Sequence, residues 1–505
     1  MRRNRPLDLS LILALGVLVS AGCAKKEAPA AAAASEAPAP TPAGGGKIPI
    51  TTASEEAKAE FLQGRDQFEK LLITDSIAHF QKAVALDANF ALAELSLANS
   101  APTGKEFFEH VNKAASLADK ASNGEKLLIL ATRAGANNDA TKQKEYLDEL
   151  VAAYPNDERT HFNLGGYYFG QQDFPQAIEH YKKATELNPA YSTAFNLLGY
   201  AYRQNADYPN AEKAFQAYVA LIPKDPNPYD SYAELLLKMG RYDDSIVQYR
   251  KALEIDPNFV NAHQGIAMDL LYQGKADQAS AELANIATKA RNDGERRTGL
   301  FARTVVLVDS GKLAQALANI DKQYALAEKN GDAGAMAFDR ATQGNILMEM
   351  GKPDQAAASY AKALTIMEGS NLSQELKDNA KLVSHYNLAR VAAAKKDFAT
   401  AKKEAEQFRA GASVSKNPLQ AKNAHELDGI IALAEKNYDK AIAELAQANQ
   451  QNPQDLYRLC QAYEGKGDAE KAKAACKQAA EFNSLPAVNY AFVRTKAKAA
   501  AGKAG

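Results

Sequence analysis

Histidine and cysteine are the residues of this chain with the widest chemistry, because they act as nucleophiles, proton carriers and metal ligands. The 505 residues include seven histidines and three cysteines. His425 and Glu426 begin a pattern typical of zinc proteases, but Gly429 stands where the second histidine ligand is required. Gly104 and Lys105 have no glycine five residues upstream, which excludes a phosphate-binding loop. Neither motif is complete.

Other catalytic signatures are also missing from the sequence. It contains neither a nucleophile elbow nor a dinucleotide-binding fingerprint. Acidic residues are scattered at spacings typical of solvated helix faces, so no two carboxylates are predicted to be forced together. Lys and Arg total 60 against 61 Asp and Glu, and this balance gives no reason to expect a nucleic-acid partner. We therefore predict a non-enzyme with no catalytic residue, cofactor or metal site.

The histidines and the two C-terminal cysteines lie within a repeated sequence pattern. Four prolines recur at intervals of 34 residues, at Pro155, Pro189, Pro223 and Pro257. Between them a pattern recurs in two adjacent segments, first as His161, Leu164, Gly165, Tyr168, Ala177, Tyr181 and Ala184, and then as Phe195, Leu198, Gly199, Tyr202, Ala211 and Phe215. This pattern resembles the tetratricopeptide repeat, a helical hairpin in which small residues allow close helix contact and large ones fill the gap to the next hairpin.

The resemblance implies an all-α fold, a right-handed superhelical solenoid of roughly 11–12 helical hairpins. We predict six segments: a signal peptide, an acylation site with a disordered Pro/Ala/Gly-rich tether, divergent hairpins, a regular block, a block with longer loops, and a capping helix with a basic tail. Their respective bounds are 1–22, 23–53, 54–157, 158–293, 294–486 and 487–505. Two stretches, 329–334 and 369–373, are predicted to be the longer loops.

The histidines follow the repeat. His161, His263, His385 and His425 occupy the aromatic place that opens the first helix of a hairpin, and His180 precedes the aromatic residue of a second helix. Equivalent places in different hairpins are spread along a solenoid, so these side chains are predicted not to converge. Packing within the repeat is favoured over metal ligation.

The N-terminus resembles a bacterial lipoprotein signal. Arginines precede an apolar stretch, Leu9 to Val19, that is too short to span a bilayer comfortably, and small residues lead to Cys23. The resemblance implies lipid attachment to Cys23 and a location on the outer membrane facing the periplasm of the cell envelope. Ser20 departs from the family, which usually has an aliphatic residue there. The alternative is a plain secretory signal cut near Ala21.

Cys460 and Cys476 lie on the first and second helix of the last clear hairpin. In an exported protein they are a candidate disulfide, and the alternative is two buried free thiols.

In proteins of the repeat's family the first helices line a concave groove that holds ligands. By the repeat phase, a peptide-binding groove is predicted at Phe162, Phe169, Asn196, Tyr200, Arg203, Asp230, Glu234, Gln264, Met268 and Tyr272. The clamp that some members use for acidic C-terminal tails needs Lys and Asn at places that here hold Phe162, Gly166, Thr193 and Leu197, so that ligand class is not expected. Part of this surface has the alternative role of packing between repeats.

The sequence therefore predicts an envelope scaffold or adaptor that binds a protein or peptide, attached to the membrane by its N-terminal lipid and active in assembly of an envelope, secretion or surface-polymer complex. The alternatives are a chaperone-like or accessory subunit of an envelope enzyme complex and, third, an enzyme in its own right.

Overall fold

The structure, a computed structural model, describes residues 46–101, 104–137, 139–372, 374–415 and 418–503. Within these ranges the regular elements are helices and no strand occurs. The chain forms two compact units, which meet in sequence between Ile222 and Pro223. The signal peptide, Cys23 and most of the predicted tether lie outside the described residues.

The first unit contains five hairpins, each a first helix followed by a second helix that packs on it. A single 3-10 turn, Ala118–Lys120, follows the fourth helix. The helices are α1 Glu55–Glu69, α2 Ile73–Leu86, α3 Ala91–Asn99, α4 Gly104–Leu117, α5 Asn123–Ala136, α6 Ala140–Ala153, α7 Glu158–Gly170, α8 Phe174–Leu187, α9 Ser192–Gln204 and α10 Tyr208–Leu221.

The second unit contains seven hairpins and two closing helices. These are α11 Pro226–Lys238, α12 Tyr242–Ile255, α13 Val260–Tyr272, α14 Ala276–Lys289, α15 Asp293–Asp309, α16 Leu313–Lys329, α17 Ala333–Glu349, α18 Pro353–Glu368, α19 Gln374–Ala394, α20 Phe398–Ser415, α21 Pro418–Ala434, α22 Tyr438–Leu445, α23 Pro453–Lys466, α24 Ala469–Ala480, α25 Val488–Ala491 and α26 Arg494–Lys503. The twelve hairpins of the described residues confirm the all-α repeat prediction.

Local sequence explains where each hairpin turns. In the hairpin of α7 and α8, Gln172 adopts φ +60° and Asp173 then accepts a hydrogen bond from the Gln176 N–H, which caps α8. The last hairpin turns in the same way at Gly467, with φ +82°, followed by Asp468 as the cap. A left-handed residue followed by a capping carboxylate ends one helix and begins the next within three residues.

Small residues let the paired helices approach. A Cβ atom on Gly165 would lie 2.9 Å from the ring of Tyr181, and one on Gly199 would lie 2.8 Å from the ring of Phe215. Both rings are almost fully buried, as the repeat predicts for residues between hairpins.

One of the two predicted long loops is wrong. α16 ends at Lys329 and Asp332 already caps α17, so only three residues connect them. The longer repeat instead comes from helices of 17 residues, such as α15 to α17, where hairpins of the regular block have 13 or 14. The additional residues extend each helix by about one turn.

The end of the predicted tether is also fixed in place. Residues 47–53 form an extended strap that runs back over the first unit from hairpin four to hairpin one. The contacts join Lys47 to Glu158, the Ile48 N–H to Asp157 (2.8 Å), the Thr51 N–H to Glu125 (2.9 Å) and the Thr52 hydroxyl to Asp87 (2.6 Å). Disorder was predicted there from composition, but acidic residues at or beside helix ends satisfy the strap's donors and hold it in place.

The C-terminus of the second unit folds back onto its earlier hairpins. The Tyr242 hydroxyl donates to Asn483 at 2.9 Å, and Arg494 forms a buried ion pair with Asp309. Tyr490 is buried in the core formed by α13 and α15. The predicted basic tail is therefore in part a core element, because Arg494 pairs inside the fold.

Candidate functional site

The candidate site is the surface where the first helices of successive hairpins contact one another in the second unit, here called the first-helix face. Gln264 of α13 donates to the Thr298 carbonyl of α15 at 3.0 Å. Arg390 of α19 reaches Asn345 of α17 at 3.1 Å. Both contacts join first helices directly, and Asn345 also accepts a hydrogen bond from the Tyr360 hydroxyl of the second helix α18, at 2.8 Å.

The predicted groove residues of the first unit are largely engaged in packing. The Phe162 ring lies 5.8 Å from that of Tyr181 and 5.0 Å from that of Tyr191. Asn196 is buried. The remaining predicted residues there are half-buried, with Phe169 against Phe174, and Tyr200 against Phe215 and Arg203. Phe162 and Asn196 thus fill the space between hairpins, which was the alternative interpretation of these positions.

In the second unit, two predicted residues are covered. Met268 is fully buried, and the Tyr272 hydroxyl donates to the Ser484 carbonyl of the returning C-terminus. These two are therefore wrong as exposed ligand contacts. Asp230 is also buried, whereas Glu234 and Gln264 are half-buried. Nothing in the sequence indicated that residues 482–494 would cover this part of the face.

Two arginines of the face are neutralised by buried carboxylates. Arg297 makes a two-pronged contact with the buried carboxylate of Asp339, at 2.6 and 3.1 Å. Arg458 contacts Glu426 at 2.6 Å and Asp455 at 2.7 Å. Such paired contacts fix both partners, and the carboxylate balances the charge of the arginine.

Arg390 differs from those two. Its Nη1 donates to the amide oxygens of Asn345 at 3.1 Å and Asn387 at 3.3 Å. The Tyr386 ring lies 5.4 Å from its guanidinium carbon. Among the described residues no carboxylate lies within ion-pair distance of Arg390. This half-buried guanidinium is therefore held by neutral groups, which include the Tyr360 hydroxyl, and by no direct ion pair among the described residues.

Glu426 and Asp455 correct the expectation that no carboxylates are forced together. Both are buried, on α21 and α23, and share Arg458. Burial raises the pKa of Asp455 well above its usual range, and the neighbouring Glu426 carboxylate raises it further. With two acids and one arginine, the cluster holds one proton or carries net negative charge. Burial acts to lower the pKa of Arg390, but Tyr386, Tyr360 and, without a direct ion pair, Glu426 raise it above its usual value.

An exposed aromatic residue, Phe338, lies on the same face as Arg390. Phe338 of α17 is 50% exposed, and its ring lies 5.7 Å from that of Phe301 on α15. Phe338 precedes Asn345 by two helical turns. Phe338 and the Asn345 contact to Arg390 are therefore about 10 Å apart along α17. A large exposed aromatic residue beside an unneutralised arginine is typical of a protein-binding surface.

The histidines make a contact that the sequence missed. In three hairpins the opening histidine faces a glutamate 19 residues later, in the pairs His263 and Glu282, His385 and Glu404, and His425 and Glu444. In the hairpin of α7 and α8 the corresponding pair is His161 and His180, with their Nδ1 atoms 3.2 Å apart. Histidines of different hairpins stay apart as predicted, but these two meet across one hairpin. The constant offset of 19 residues between the two members of each pair is the sequence signal that could have predicted these contacts.

Cys460 and Cys476 face each other across the hairpin of α23 and α24. Both are buried, and their Cα atoms are 5.1 Å apart, within the usual range for a disulfide. The disulfide stays a prediction that thiol titration can test.

No helix among the described ranges combines the length and apolar character that crossing a bilayer requires.

The fold and this face define an all-α protein of repeated helical hairpins. Models described as tetratricopeptide repeat match residues 130–184, 162–226, 341–367 and 456–484, and one described as TPR repeat matches 233–267. The chain therefore contains tetratricopeptide repeats, as the sequence pattern predicted.

Two curated relatives show how far the similarity extends. Hsp70-Hsp90 organizing protein 2 of Arabidopsis thaliana is 25% identical over 38% of this chain and 33% of its own length. Cellulose synthase operon protein C of Xanthomonas axonopodis pv. citri (strain 306) is 25% identical over 67% of this chain and 23% of its own length. The chain thus spans a third or less of these relatives.

Among solved structures, a tetratricopeptide repeat protein from Parabacteroides merdae matches with a TM-score of 0.38 at 18% identity, over 52% of this chain and all of that one. The APC/C hetero-tetramer Cut9-Hcn1 matches with a TM-score of 0.39 at 15% identity, over 84% of this chain and 76% of that one.

Proposed function

We propose that this protein is a scaffold of the bacterial cell envelope and that the first-helix face of its second unit binds an extended, acidic segment of a partner protein. Arg390 carries the proposal, because it is held by two amides and a tyrosine ring while the neighbouring arginines are neutralised. A carboxylate is the group that a guanidinium with free donors recognises best.

The distances define the kind of segment. A segment in the polyproline II conformation advances about 3.1 Å per residue with three residues per turn, so side chains three residues apart lie on one face and about 9 Å apart. A partner with an aliphatic or aromatic residue three positions from an aspartate or glutamate would place one on Phe338 and the other on Arg390. The amide groups of Asn345 and Asn387 would then hold main-chain groups beside the acidic residue.

The envelope location is part of the proposal and depends on the lipoprotein-like N-terminus. The name of the relative encoded in a cellulose synthase operon supports assembly of a surface polymer as a setting. An accessory role in an enzyme complex is compatible with the same face. We propose no chemistry of the chain itself, since the buried carboxylates of the face are occupied by Arg458.

Peptide binding tests the proposal. A fluorescein-labelled 12-residue peptide with leucine and glutamate three positions apart is titrated with the full chain and followed by fluorescence anisotropy. We expect Arg390→Gln to weaken binding by about tenfold, as expected for a charged hydrogen bond, and Phe338→Ala to weaken it also. Arg303→Gln is the matched control, because Arg303 is exposed on α15.

The peptide itself supplies the second control. Replacing its glutamate with glutamine is expected to weaken binding to the wild type about as much as Arg390→Gln does, and to have little further effect on that variant. Equal binding of both peptides to the wild type, or equal losses with Arg303→Gln and Arg390→Gln, would show that Arg390 is not the receptor.

A further inference from the structure

The pair His161 and His180 is the one place in the described repeats where two histidines replace the recurring histidine and glutamate. The substitution removes a negative charge and adds a second imidazole nitrogen at the same position. Their rings are stacked at an interplanar angle of 26°, with centroids 5.5 Å apart, and the two Nδ1 atoms lie 3.2 Å from each other. Two neutral imidazoles whose Nδ1 atoms face each other share one proton between the two nitrogens. A metal cation is the other group that fits at this position.

A hydrogen bond sets the tautomer of His161. Its Nε2 lies 3.0 Å from the Pro155 carbonyl oxygen, which can only accept, so Nε2 carries the proton. The Nδ1 of His161 therefore presents a lone pair to His180. A histidine whose other nitrogen donates to a backbone carbonyl is the arrangement that metal sites use to orient an imidazole ligand.

His180 can supply the second lone pair. It stacks on the Tyr168 ring, 5.6 Å away, and is half-buried, so its Nε2 is free to carry the proton instead of Nδ1. Burial lowers the pKa of both histidines, which favours their neutral forms. Neutral imidazole is the form that ligates a metal, so neither ring needs to lose a proton to the solvent.

The separation fits a tetrahedral ion. With each nitrogen about 2.0–2.1 Å from zinc, a 3.2 Å separation gives an angle of about 100–106° at the metal, against about 109° for a regular tetrahedron. The charged groups that act on the pair are Asp148, Asp157 and Glu179, which are negative, and Lys144 and Lys183, which are positive. The surroundings are therefore mildly favourable to a cation.

We propose that His161 and His180 form a two-histidine site for a divalent transition ion such as Zn²⁺ or Ni²⁺, with water completing the coordination. Imidazole nitrogens suit these ions. The ion would fasten α7 to α8 in the hairpin whose Asp157 and Glu158 hold the strap. Metal binding would thus stabilise the attachment of residues 47–53.

Metal titration with the full chain tests the proposal. ZnCl2 and NiCl2 are titrated calorimetrically into protein cleared with EDTA and kept free of reductant, because reduced Cys460 and Cys476 beside Glu464 would offer a second site. Two variants use residues that the chain itself places at these positions in the next hairpin: His180→Ala, as at Ala214, and His161→Phe, as at Phe195. Each is expected to fold and to lower the affinity at least about tenfold.

Melting temperatures in EDTA and in zinc separate binding from folding. The wild type should melt higher in zinc, whereas the two variants should melt alike in both buffers. His385→Phe is the control and should keep the zinc shift, since His385 pairs with Glu404 in another hairpin. Absence of zinc binding by the wild type, or the same affinity in wild type and both variants, would overturn the site.

Discussion

Asp269 makes the stability of the second unit depend on pH. It lies in α13, is fully buried, and neither of its carboxylate oxygens has a hydrogen-bond partner within the described ranges. Burial raises its pKa from 3.8 to about 8; the nearby Ser245 hydroxyl lowers it and Asp243 raises it, both less strongly. The folded protein therefore keeps a proton on this carboxyl under conditions where the unfolded chain has lost it.

The sign and size of the effect follow from linkage. Because the folded state binds the extra proton, the free energy of unfolding falls as pH rises from about 4, where the unfolded carboxyl ionises, to about 8, where the folded one does. Each pH unit costs about 1.4 kcal/mol, so this one group would cost the wild type about 4 kcal/mol between about pH 4 and pH 7. An asparagine does not titrate, so Asp269→Asn should remove this part of the slope.

Urea unfolding of the wild type and of Asp269→Asn, followed by circular dichroism at several pH values between about 4 and 8, measures the effect. The stability of the variant relative to wild type should improve steadily with pH, whatever its difference at about pH 4. Glu254→Gln, at an exposed position of α12, is the control and should leave the slope unchanged. Parallel pH profiles for Asp269→Asn and wild type would refute the reasoning.

Two further predictions concern packing and covalent structure. Gly265→Ala should destabilise the fold by about 1–3 kcal/mol, because its Cβ would meet a buried tyrosine ring 2.0 Å away; Gly502→Ala, where the new methyl meets nothing within 4 Å, is the control, and equal urea midpoints for the two would contradict the prediction. In a Cys23→Ala background, thiol titration of the denatured, unreduced chain should find no free thiol, whereas two would show that Cys460 and Cys476 are unpaired.

Much of the fold could be predicted because each hairpin repeats the same local rules. The prolines at intervals of 34 residues do follow the second helices, as with Pro189 two residues after α8 ends at Leu187. Side chains such as Tyr181 are buried where the repeat places them. Nearest-neighbour packing makes each hairpin readable from its own residues. The longer helices of the later hairpins were misread as loops, because their added turns keep helical composition and only the repeat length changes.

The candidate site could not be predicted in the same way, because it depends on contacts between hairpins. Arg390 and Asn345 are 45 residues apart, and nothing local shows that Arg390 lacks a carboxylate while Arg458 has two. Met268 and Tyr272 have the phase of groove residues, but a segment more than two hundred residues later covers Tyr272. Such contacts depend on how successive hairpins are rotated, which the repeat pattern does not encode.

The strap of residues 47–53 determines which hairpin of the first unit first bears a mechanical force applied to the N-terminus. Any pull transmitted through the chain before residue 47 first reaches Glu158 and Asp157, in the fourth hairpin, rather than α1. The bonds at Glu125 and Asp87 must then break in turn before α1 bears load. The first hairpin is in this way shielded from a pull on the N-terminus, and a chain held there is gripped at the fourth of the unit's five hairpins.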